Sequence, residues 1–199
     1  MKIGIDIDDT ITNTNFLLMK YAFKYNNEHD KRKLIKYNTN NFSEVFGWSY
    51  DETNDFFRTY YLDALKEIEP RYNTSEILNN LKKDGHKIVF ITYRNDRECN
   101  GKGEAYRITS EWMKKYRIPY DEINVDVSDK AKFCLDNKID IFIDDSIRYC
   151  EEVSNLGIRT MMAMTSFNLD YSNAKIVKFY NLSELYDCIN DADYKVHSK

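Results

Sequence analysis

The sequence predicts an α/β fold, a doubly wound parallel sheet with a small helical unit inserted into it. Short apolar runs bounded by polar or turn residues alternate along the chain with segments of helical periodicity, as a parallel sheet with crossover helices requires. One interval, residues 10–87, is far longer than a crossover helix needs. We therefore expect a Rossmann-like core that is interrupted once, between its first and second strands.

The strands are expected at the apolar runs, because a strand buried on both faces of a parallel sheet has few polar positions. These runs are residues 2–7, 87–91, 123–127, 140–143, 159–164 and 176–179.

The core helices are expected where apolar residues recur every three to four positions. In residues 75–83 this spacing places Ile77, Leu78 and Leu81 on one face, and Gly85 follows as a left-handed cap. Two more helices are predicted to begin at hydrogen-bond acceptors, Ser128 and Ser146. The full set of predicted core helices is residues 75–83, 104–116, 128–137, 146–156 and 183–190.

The long interval carries amphipathic segments at residues 21–27 and 50–61 that are rich in tyrosine, phenylalanine and asparagine. We expect residues 15–72 to form a helical cap over one end of the sheet, and residues 1–14 and 73–199 to form the α/β core. Most rings of such a small unit are expected to pack together. Phe16, at the entry to the cap, is the candidate for a substrate contact.

Composition argues against several classes of protein. The 199 residues include 29 basic and 33 acidic side chains, a net charge of −4, whereas nucleic-acid-binding domains are usually basic. The mean hydropathy is −0.67, and no apolar run approaches the roughly 20 residues of a membrane span. The four cysteines form no CxxC pair, which favours reduced thiols in a cytoplasmic protein. Neither a nucleic acid nor a membrane is expected as a partner, and a homodimer stays open.

Carboxylates follow two of the predicted strands. Residues 6–10 read DIDDT, and Asp144 and Asp145 follow the strand at residues 140–143. In a parallel sheet both groups emerge at the carboxyl edge, where α/β folds bind ligands. Two carboxylates about 4 Å apart repel by on the order of 4 kcal/mol at an effective dielectric near 20. A cation relieves this repulsion, and oxygen ligands without nearby His or Cys select Mg²⁺ over Zn²⁺.

Two more residues are predicted at the same edge. Thr92 follows the strand at residues 87–91, and its hydroxyl can hold an anionic oxygen. Lys130 lies just after the strand at residues 123–127, near the start of the helix predicted over residues 128–137, a position that favours phosphate. Lys138 precedes its strand and belongs at the opposite edge, so Lys132 is the reserve candidate. The conjunction of four such strand endings carries the interpretation, since each alone is ordinary.

These four segments resemble the motifs of the haloacid dehalogenase superfamily of phosphohydrolases. DIDDT at residues 6–10 matches its DxDxT motif, Thr92 its second motif, Lys130 its third, and residues 143–146 (IDDS) its fourth. The insertion is similar to the C1-type cap of that superfamily. Within it, the chain looks most like the 5′(3′)-deoxyribonucleotidases and related bacterial nucleotidases.

The resemblance implies a chemistry and a set of roles. Asp6 is the implied nucleophile, which forms an aspartyl-phosphate, and Asp8 is the implied general acid and base. Mg²⁺ is implied at the Asp6 side chain, the Asp8 backbone carbonyl and either Asp144 or Asp145. Thr92 and Lys130 are implied to hold the phosphoryl oxygens. Arg94, where small residues are more usual, is a candidate substrate contact.

The expected function is that of a Mg²⁺-dependent phosphomonoesterase acting on a small phosphorylated metabolite. A (deoxy)nucleoside monophosphate is the favoured class, although residues 62–66 (LDALK) lack the aromatic residue that deoxyribonucleotidases place there. A sugar phosphate or another small phosphorylated metabolite is the alternative substrate. From a different class, a non-catalytic phosphate-binding regulatory module stays open, although such a module has no need of both Asp6 and Asp8.

Overall fold

The computed structural model describes residues 1–29 and 32–190 and contains one six-stranded sheet. Every pair of neighbouring strands is parallel, in the order β3-β2-β1-β4-β5-β6. This arrangement confirms the predicted α/β class and the doubly wound sheet. The strands are β1 (Lys2–Ile5), β2 (Lys87–Ile91), β3 (Glu122–Asn124), β4 (Ile141–Asp144), β5 (Arg159–Ala163) and β6 (Ile176–Phe179).

Eight helices belong to the described part of the chain, and five of them cover the sheet. Apolar side chains of α4, α5 and α8 pack on one face, and those of α6 and α7 pack on the other. The helices are α1 (Thr14–Glu28), α2 (Phe42–Phe46), α3 (Tyr50–Glu67), α4 (Thr74–Lys83), α5 (Glu104–Lys115), α6 (Lys130–Asp136), α7 (Ile147–Ser154) and α8 (Leu182–Asn190).

Strand order places the ligand edge of the sheet. The chain runs from β1 outward to β2 and β3, then returns to β4 on the other side of β1 and continues to β5 and β6. The order therefore reverses between β1 and β4, and doubly wound folds bind ligands at the carboxyl ends of the strands at such a point. Asp6 and Asp144 lie directly at these two strand ends.

Two strands end earlier than the sequence predicted, for local reasons. The first strand stops at Ile5 rather than residue 7, because Asp9 takes a left-handed conformation (φ 59°) and the chain turns until Ile11 N–H donates to the Ile7 carbonyl. The third covers residues 122–124 instead of 123–127, since Asp126 is also left-handed (φ 57°). Short polar side chains tolerate this conformation.

The predicted helix starts are right in one case and displaced in the other. The Ser146 side chain accepts from the Tyr149 N–H and caps α7, as expected. The helix predicted from residue 128 begins instead at Lys130, because Asp129 is the cap and its carboxylate accepts from the Lys132 N–H at 2.8 Å. Lys130 is therefore the first residue of α6.

Helices α1, α2 and α3 pack around a separate cluster of aromatic side chains. Phe42, Phe46, Trp48 and Phe56 are fully or almost fully buried in it. The cluster extends to Cys99 and Ala105, which belong to the loop between β2 and α5 and to α5 itself. The aromatic unit is therefore packed against the sheet-bearing part of the chain. The division at residues 15 and 72 stays a prediction, and residues 191–199 of the predicted core lie outside the described residues.

The chain leaves and re-enters the sheet region through one tied junction. Thr12 and Pro70 form an antiparallel bridge, and the Arg71 N–H donates to the Ile11 carbonyl at 2.8 Å. The indole N–H of Trp112 donates to the buried carbonyl of Ile68 at 2.8 Å. The end of α3 is thus fixed to α5, which also flanks the loop after Thr92.

We expect Trp112→Phe to lower the free energy of unfolding by about 1–3 kcal/mol, because it leaves the buried Ile68 carbonyl without its donor. Chemical unfolding followed by far-UV circular dichroism measures the change. Trp48→Phe is the matched control, since the Trp48 indole makes only a long 3.4 Å contact to Asn26. An equal loss in both variants would show that the hydrogen bond to Ile68 contributes nothing specific.

Candidate active site

A cavity of about 360 Å³ opens at the carboxyl edge of the sheet, below helices α1 and α3. Cavities of this size hold small organic ligands. Carboxylates and cations lie toward the strand ends, and aromatic side chains from the helical insertion form other walls. The residues that line the cavity include Asp6, Asp8, Asn15, Asn40, Phe42, Phe57, Tyr61, Thr92, Arg94, Glu98, Lys130, Asp144, Asp145 and Tyr149.

The DIDDT segment forms a tight turn that presents its first carboxylates to the cavity. The Asp6 N–H still donates to the Ile143 carbonyl of β4 at 2.9 Å, so Asp6 lies at the junction of the two central strands. After the left-handed Asp9, the Thr12 hydroxyl donates to the Ile7 carbonyl at 3.0 Å and closes the turn. The Asp9 carboxylate accepts from the Asn15 N–H at 2.8 Å and ties the turn to α1.

Lys130 lies between two carboxylates. Its Nζ is 2.6 Å from Asp6 Oδ1 and 2.7 Å from Asp144 Oδ2, and its side chain is 1% exposed. Burial alone would lower the pKa of Lys130, but the charges of Asp144 and Asp6 raise it above its ordinary value, so the ammonium stays charged. The reserve candidate Lys132 lies outside the cavity and pairs with Asp136 on the surface of α6. Breaking a buried ion pair by removing one partner is strongly destabilising, so Lys130 also holds these strand ends together.

The buried carboxylates of Asp6, Asp144 and Asp145 offer one oxygen each within 4.8 Å of one another. Asp144 already accepts from Lys130 and from the Ser146 N–H at 2.8 Å. In the described part of the chain, no hydrogen bond reaches the second oxygen of Asp6 or of Asp145. An all-oxygen set with free lone pairs fits a hard divalent cation such as Mg²⁺. The Asp8 carboxylate does not join this group.

Negative charge exceeds positive charge around this group. The carboxylates are Asp6, Asp8, Asp9, Asp144 and Asp145, and the cationic side chains that interact with them are Arg71, Arg94 and Lys130. Burial, with the nearby charges of Asp144 and Asp8, raises the pKa of Asp6 from 3.8 to about 7 against the opposing effect of Lys130. Burial and three neighbouring carboxylates raise the pKa of Asp145 well above its ordinary value. A bound divalent cation would favour the ionised forms.

Asp8 has a different environment. The Arg94 guanidinium binds it with two hydrogen bonds, Nε to Oδ2 and Nη2 to Oδ1, both at 2.8 Å, and the Thr14 hydroxyl donates to Oδ1 at 2.6 Å. Burial raises the pKa of Asp8, but Arg94 and Thr14 together hold it below its ordinary value. Thr109 and the ring of Trp112 flank Arg94 in turn. Asp8 is therefore an ionised, rigidly oriented carboxylate beside Asp6.

Thr92 lies at the end of β2 and is 1% exposed. Its hydroxyl oxygen accepts from the Arg94 N–H at 3.2 Å, and its own N–H donates to the Asn124 carbonyl at 3.0 Å. The hydroxyl proton has no acceptor among the described residues, and Thr92 lines the cavity. The side chain is therefore placed to donate to an anionic oxygen.

Comparison with known proteins finds similar sequences and similar folds, although no protein-family model matches the chain. A nucleotidase from Clostridium acetobutylicum is 23% identical over 96% of this chain and 94% of its own length. A Bacillus cereus protein with a provisional nucleotidase name is 26% identical over 93% and 97% of the two chains. A haloacid dehalogenase-like hydrolase from Streptococcus pneumoniae superposes with a TM-score of 0.66 at 14% identity, covering 94% of this chain and 97% of that one.

The chain therefore has the fold of haloacid dehalogenase-like hydrolases and is similar over nearly its whole length to proteins that carry nucleotidase names. These similarities agree with the resemblance drawn from the four sequence motifs and support the prediction of a phosphoric monoester hydrolase. The interpretation requires Asp6 and Asp145 to lie close together, and both are found at one edge of the sheet. None of the helices in residues 1–29 and 32–190 combines the length and apolar content that a membrane crossing requires.

Of the two predicted substrate contacts, Arg94 lines the cavity and Phe16 does not. Arg94 does line the cavity, but its guanidinium is occupied by Asp8. Phe16 is 82% exposed and lines a neighbouring hollow with Arg71 and Phe167, outside the cavity that holds Asp6. A contact from Phe16 to a substrate bound at Asp6 is therefore without support from this geometry, and Arg94 acts on the cavity through Asp8.

Several residues that line the cavity were not identified as site residues from the sequence. Phe57 and Tyr61 lie four residues apart on one face of α3, a spacing that could have identified a shared wall. Asn40 and Phe42 follow an irregular segment, and Glu98 lies in the loop after β2, where no periodicity marks them. The four cysteines, in contrast, are buried free thiols as expected.

We expect Mg²⁺ to raise the melting temperature of this protein more at pH 8 than at pH 5. A carboxyl group with a raised pKa binds more protons in the folded than in the unfolded state between pH 3.8 and about 7, the range for Asp6. Without metal, its contribution to the free energy of unfolding therefore falls as the pH rises through that range. Bound Mg²⁺ reverses this decline, because it needs the ionised carboxylates.

Thermal unfolding at both pH values, with Mg²⁺ or with a chelator, measures this effect. Asp145→Asn is the control, and we expect it to show both a flatter pH dependence without metal and a smaller gain with Mg²⁺. The same Mg²⁺ gain at pH 5 and pH 8 in the unsubstituted protein would contradict the assignment of the buried carboxylates.

Proposed function

We propose that this protein is a Mg²⁺-dependent phosphomonoesterase that works through an aspartyl-phosphate on Asp6, with a nucleoside monophosphate as substrate. The observation that carries the chemistry is the meeting of Asp6, Lys130 and the Asp144–Asp145 pair in one cavity, with Thr92 lining the same space. Bound Mg²⁺ would be held by Asp6, Asp145 and their neighbours and would offset charge between the carboxylate and the phosphate.

In the first step, the free carboxylate oxygen of Asp6 attacks phosphorus, and the bond to the ester oxygen of the substrate breaks. Lys130 fixes the other oxygen of Asp6 at 2.6 Å, so the nucleophile has one defined orientation. The Thr92 hydroxyl and the Lys130 ammonium compensate charge on the phosphoryl oxygens. Covalent attachment divides one difficult displacement into two easier ones.

In the second step, water attacks the phosphoryl group and Asp8 takes the proton from that water. The ionised state that Arg94 and Thr14 favour suits Asp8 for this role. In the first step Asp8 passes to the leaving oxygen a proton that it takes up from solvent before the attack, so the alcohol departs neutral and Asp8 is ionised again for the second step. This assistance matters most for a strongly basic alkoxide. General acid–base assistance of this kind contributes about 10²–10⁴-fold.

Residues 15–72 act as the cap in this proposal and close the cavity over the leaving group. Phe42, Phe57 and Tyr61 provide ring surfaces on which a nucleobase can stack. Both relatives with the highest sequence similarity reported above carry nucleotidase names, which favours a nucleoside monophosphate over a sugar phosphate. The cavity of about 360 Å³ is of a size for a small monoester rather than a polymer.

We expect Asp6→Asn to abolish turnover of p-nitrophenyl phosphate, because the amide is isosteric but not nucleophilic. The melting temperature should change little, since the amide oxygen still accepts from Lys130 and the repulsion from Asp144 and Asp8 is removed. Asp8→Asn should keep the phosphorylation step for this substrate, whose leaving group needs no proton, and accumulate the phospho-enzyme. Steady-state rates and acid-quenched phosphoprotein measure the two effects. Turnover by Asp6→Asn at the rate of the unsubstituted protein would rule out Asp6 as the nucleophile.

A substrate panel tests the class of leaving group. Nucleoside 5′- and 3′-monophosphates, their deoxy forms and sugar phosphates are compared with and without Mg²⁺. We expect the highest kcat/KM for a nucleoside monophosphate and at least a tenfold loss when Mg²⁺ is chelated. Preference for sugar phosphates would replace the substrate class and keep the chemistry, whereas no phosphatase activity at all would overturn both.

A further inference from the structure

The Asp8 carboxylate has one hydrogen-bond acceptor position left over. A carboxylate offers about four such positions, two on each oxygen. Oδ1 accepts from Arg94 Nη2 at 2.8 Å and from the Thr14 hydroxyl at 2.6 Å, and Oδ2 accepts from Arg94 Nε at 2.8 Å. No other group in residues 1–29 and 32–190 donates to this carboxylate, so the remaining position is on Oδ2.

This remaining position is open to the cavity. The Asp8 side chain is 27% exposed and lines the cavity, whereas the Arg94 side chain is 1% exposed. Arg94 therefore binds Asp8 from the interior side, and a water molecule or a ligand approaches from the cavity. A proton that Asp8 exchanges with the contents of the cavity is thus exchanged at Oδ2.

Arg94 can orient Asp8 because its own backbone and side chain are both held. Its N–H donates to the Thr92 hydroxyl oxygen at 3.2 Å. Its Nη1 donates to the Thr109 hydroxyl oxygen at 3.5 Å, and its guanidinium carbon lies 5.9 Å from the centre of the Trp112 ring. Two hydrogen bonds from one planar guanidinium fix both the position and the rotation of a carboxylate, which an ammonium group does not do.

We propose that Arg94 is a positioning residue for hydrolysis of the aspartyl-phosphate, because it turns the free acceptor position on Asp8 Oδ2 toward the attacking water. This inference rests on the proposed function. In that step the water oxygen bonds to phosphorus, the bond from phosphorus to the Asp6 oxygen breaks, and a proton of the water passes to Oδ2. Arg94 acts only on the last of these events and contacts neither the phosphoryl group nor the leaving group.

The two steps can be separated with p-nitrophenyl phosphate, whose leaving group needs no proton. With this substrate, Asp8 is used for hydrolysis of the phospho-enzyme and not for its formation. The value of kcat/KM reports the steps up to formation of the phospho-enzyme, while kcat also includes its hydrolysis. Loss of a residue that acts through Asp8 therefore lowers kcat and KM together and keeps kcat/KM. Loss of folded protein lowers kcat and kcat/KM equally.

We expect Arg94→Lys to slow hydrolysis of the phospho-enzyme at least tenfold and to keep kcat/KM for p-nitrophenyl phosphate within about twofold. Lysine keeps the positive charge and the backbone N–H that contacts Thr92, but it cannot bind both oxygens of Asp8 in the same geometry. Steady-state rates and the decay of acid-quenched phosphoprotein measure the two effects. This decay is a first-order rate, so it does not depend on the fraction of protein that folds.

Arg107→Lys is the matched control, because it makes the same change on the exposed side of α5, where Arg107 pairs with two carboxylates of its own helix. We expect it to change neither rate.

A double-substitution cycle separates positioning from direct contact with the substrate. In protein that already carries Asp8→Asn, Arg94→Lys should cause no further loss in phospho-enzyme hydrolysis, since its effect passes through the carboxylate that is no longer there. A further loss as large as the one in the unsubstituted protein would show that Arg94 acts directly on the phosphoryl group, and it would overturn the positioning role.

The outcomes also distinguish this inference from the proposed function. Unchanged hydrolysis of the phospho-enzyme in Arg94→Lys, or equal losses in kcat and kcat/KM, overturns the role of Arg94 while the unsubstituted protein still works through a phospho-enzyme. Absence of any phospho-enzyme in both the unsubstituted protein and Asp8→Asn overturns the proposed function itself. Slower hydrolysis with kcat/KM retained, and with no further loss in the Asp8→Asn protein, supports the positioning role.

Discussion

Electrostatic repulsion among buried carboxylates is the constraint on which this site depends. Parallel strands β1 and β4 end side by side. They bring one carboxylate oxygen each of Asp6, Asp144 and Asp145 within 4.8 Å of one another. Lys130 offsets part of that charge, with one hydrogen bond to each strand end. The remaining charge favours a divalent cation, and a phosphate ester can then approach a group that would otherwise repel it.

The second carboxylate of the DxD pair is kept apart from that group by its own cation. Arg94 binds Asp8 through two hydrogen bonds and is itself held by Thr109 and Trp112. Trp112 also donates to Ile68 at the end of the insertion. A single helix, α5, therefore supports both Arg94, which orients Asp8, and the end of the helical insertion.

The helical insertion buries most of its rings and leaves a few at the cavity. Phe46, Trp48 and Phe56 are buried in its core, whereas Phe57 and Tyr61 reach the cavity. Glu98 comes from the sheet-bearing part of the chain and lines the same space. The walls of the cavity therefore come from two separate segments of the chain.

The sequence by itself determined the positions of the strands along the chain, the reduced cysteines and the four motif positions, because these depend on apolar periodicity and on residue types at strand ends. It placed Lys130 correctly over Lys132 for a topological reason, namely that a residue following a strand lies at the carboxyl edge. It could not show that Arg94 binds Asp8 rather than a substrate, since this pair joins positions 86 residues apart.

Only the tertiary structure decided which aromatic side chains face the cavity and that Phe16 does not. Helical periodicity identifies an apolar face but not what packs against it, and α3 has partners on more than one side. Glu98 and Asn40 lie in irregular segments, whose direction follows from contacts distant in sequence. Local pattern therefore fixed the chemistry at the strand ends, while long-range packing set the walls that surround it.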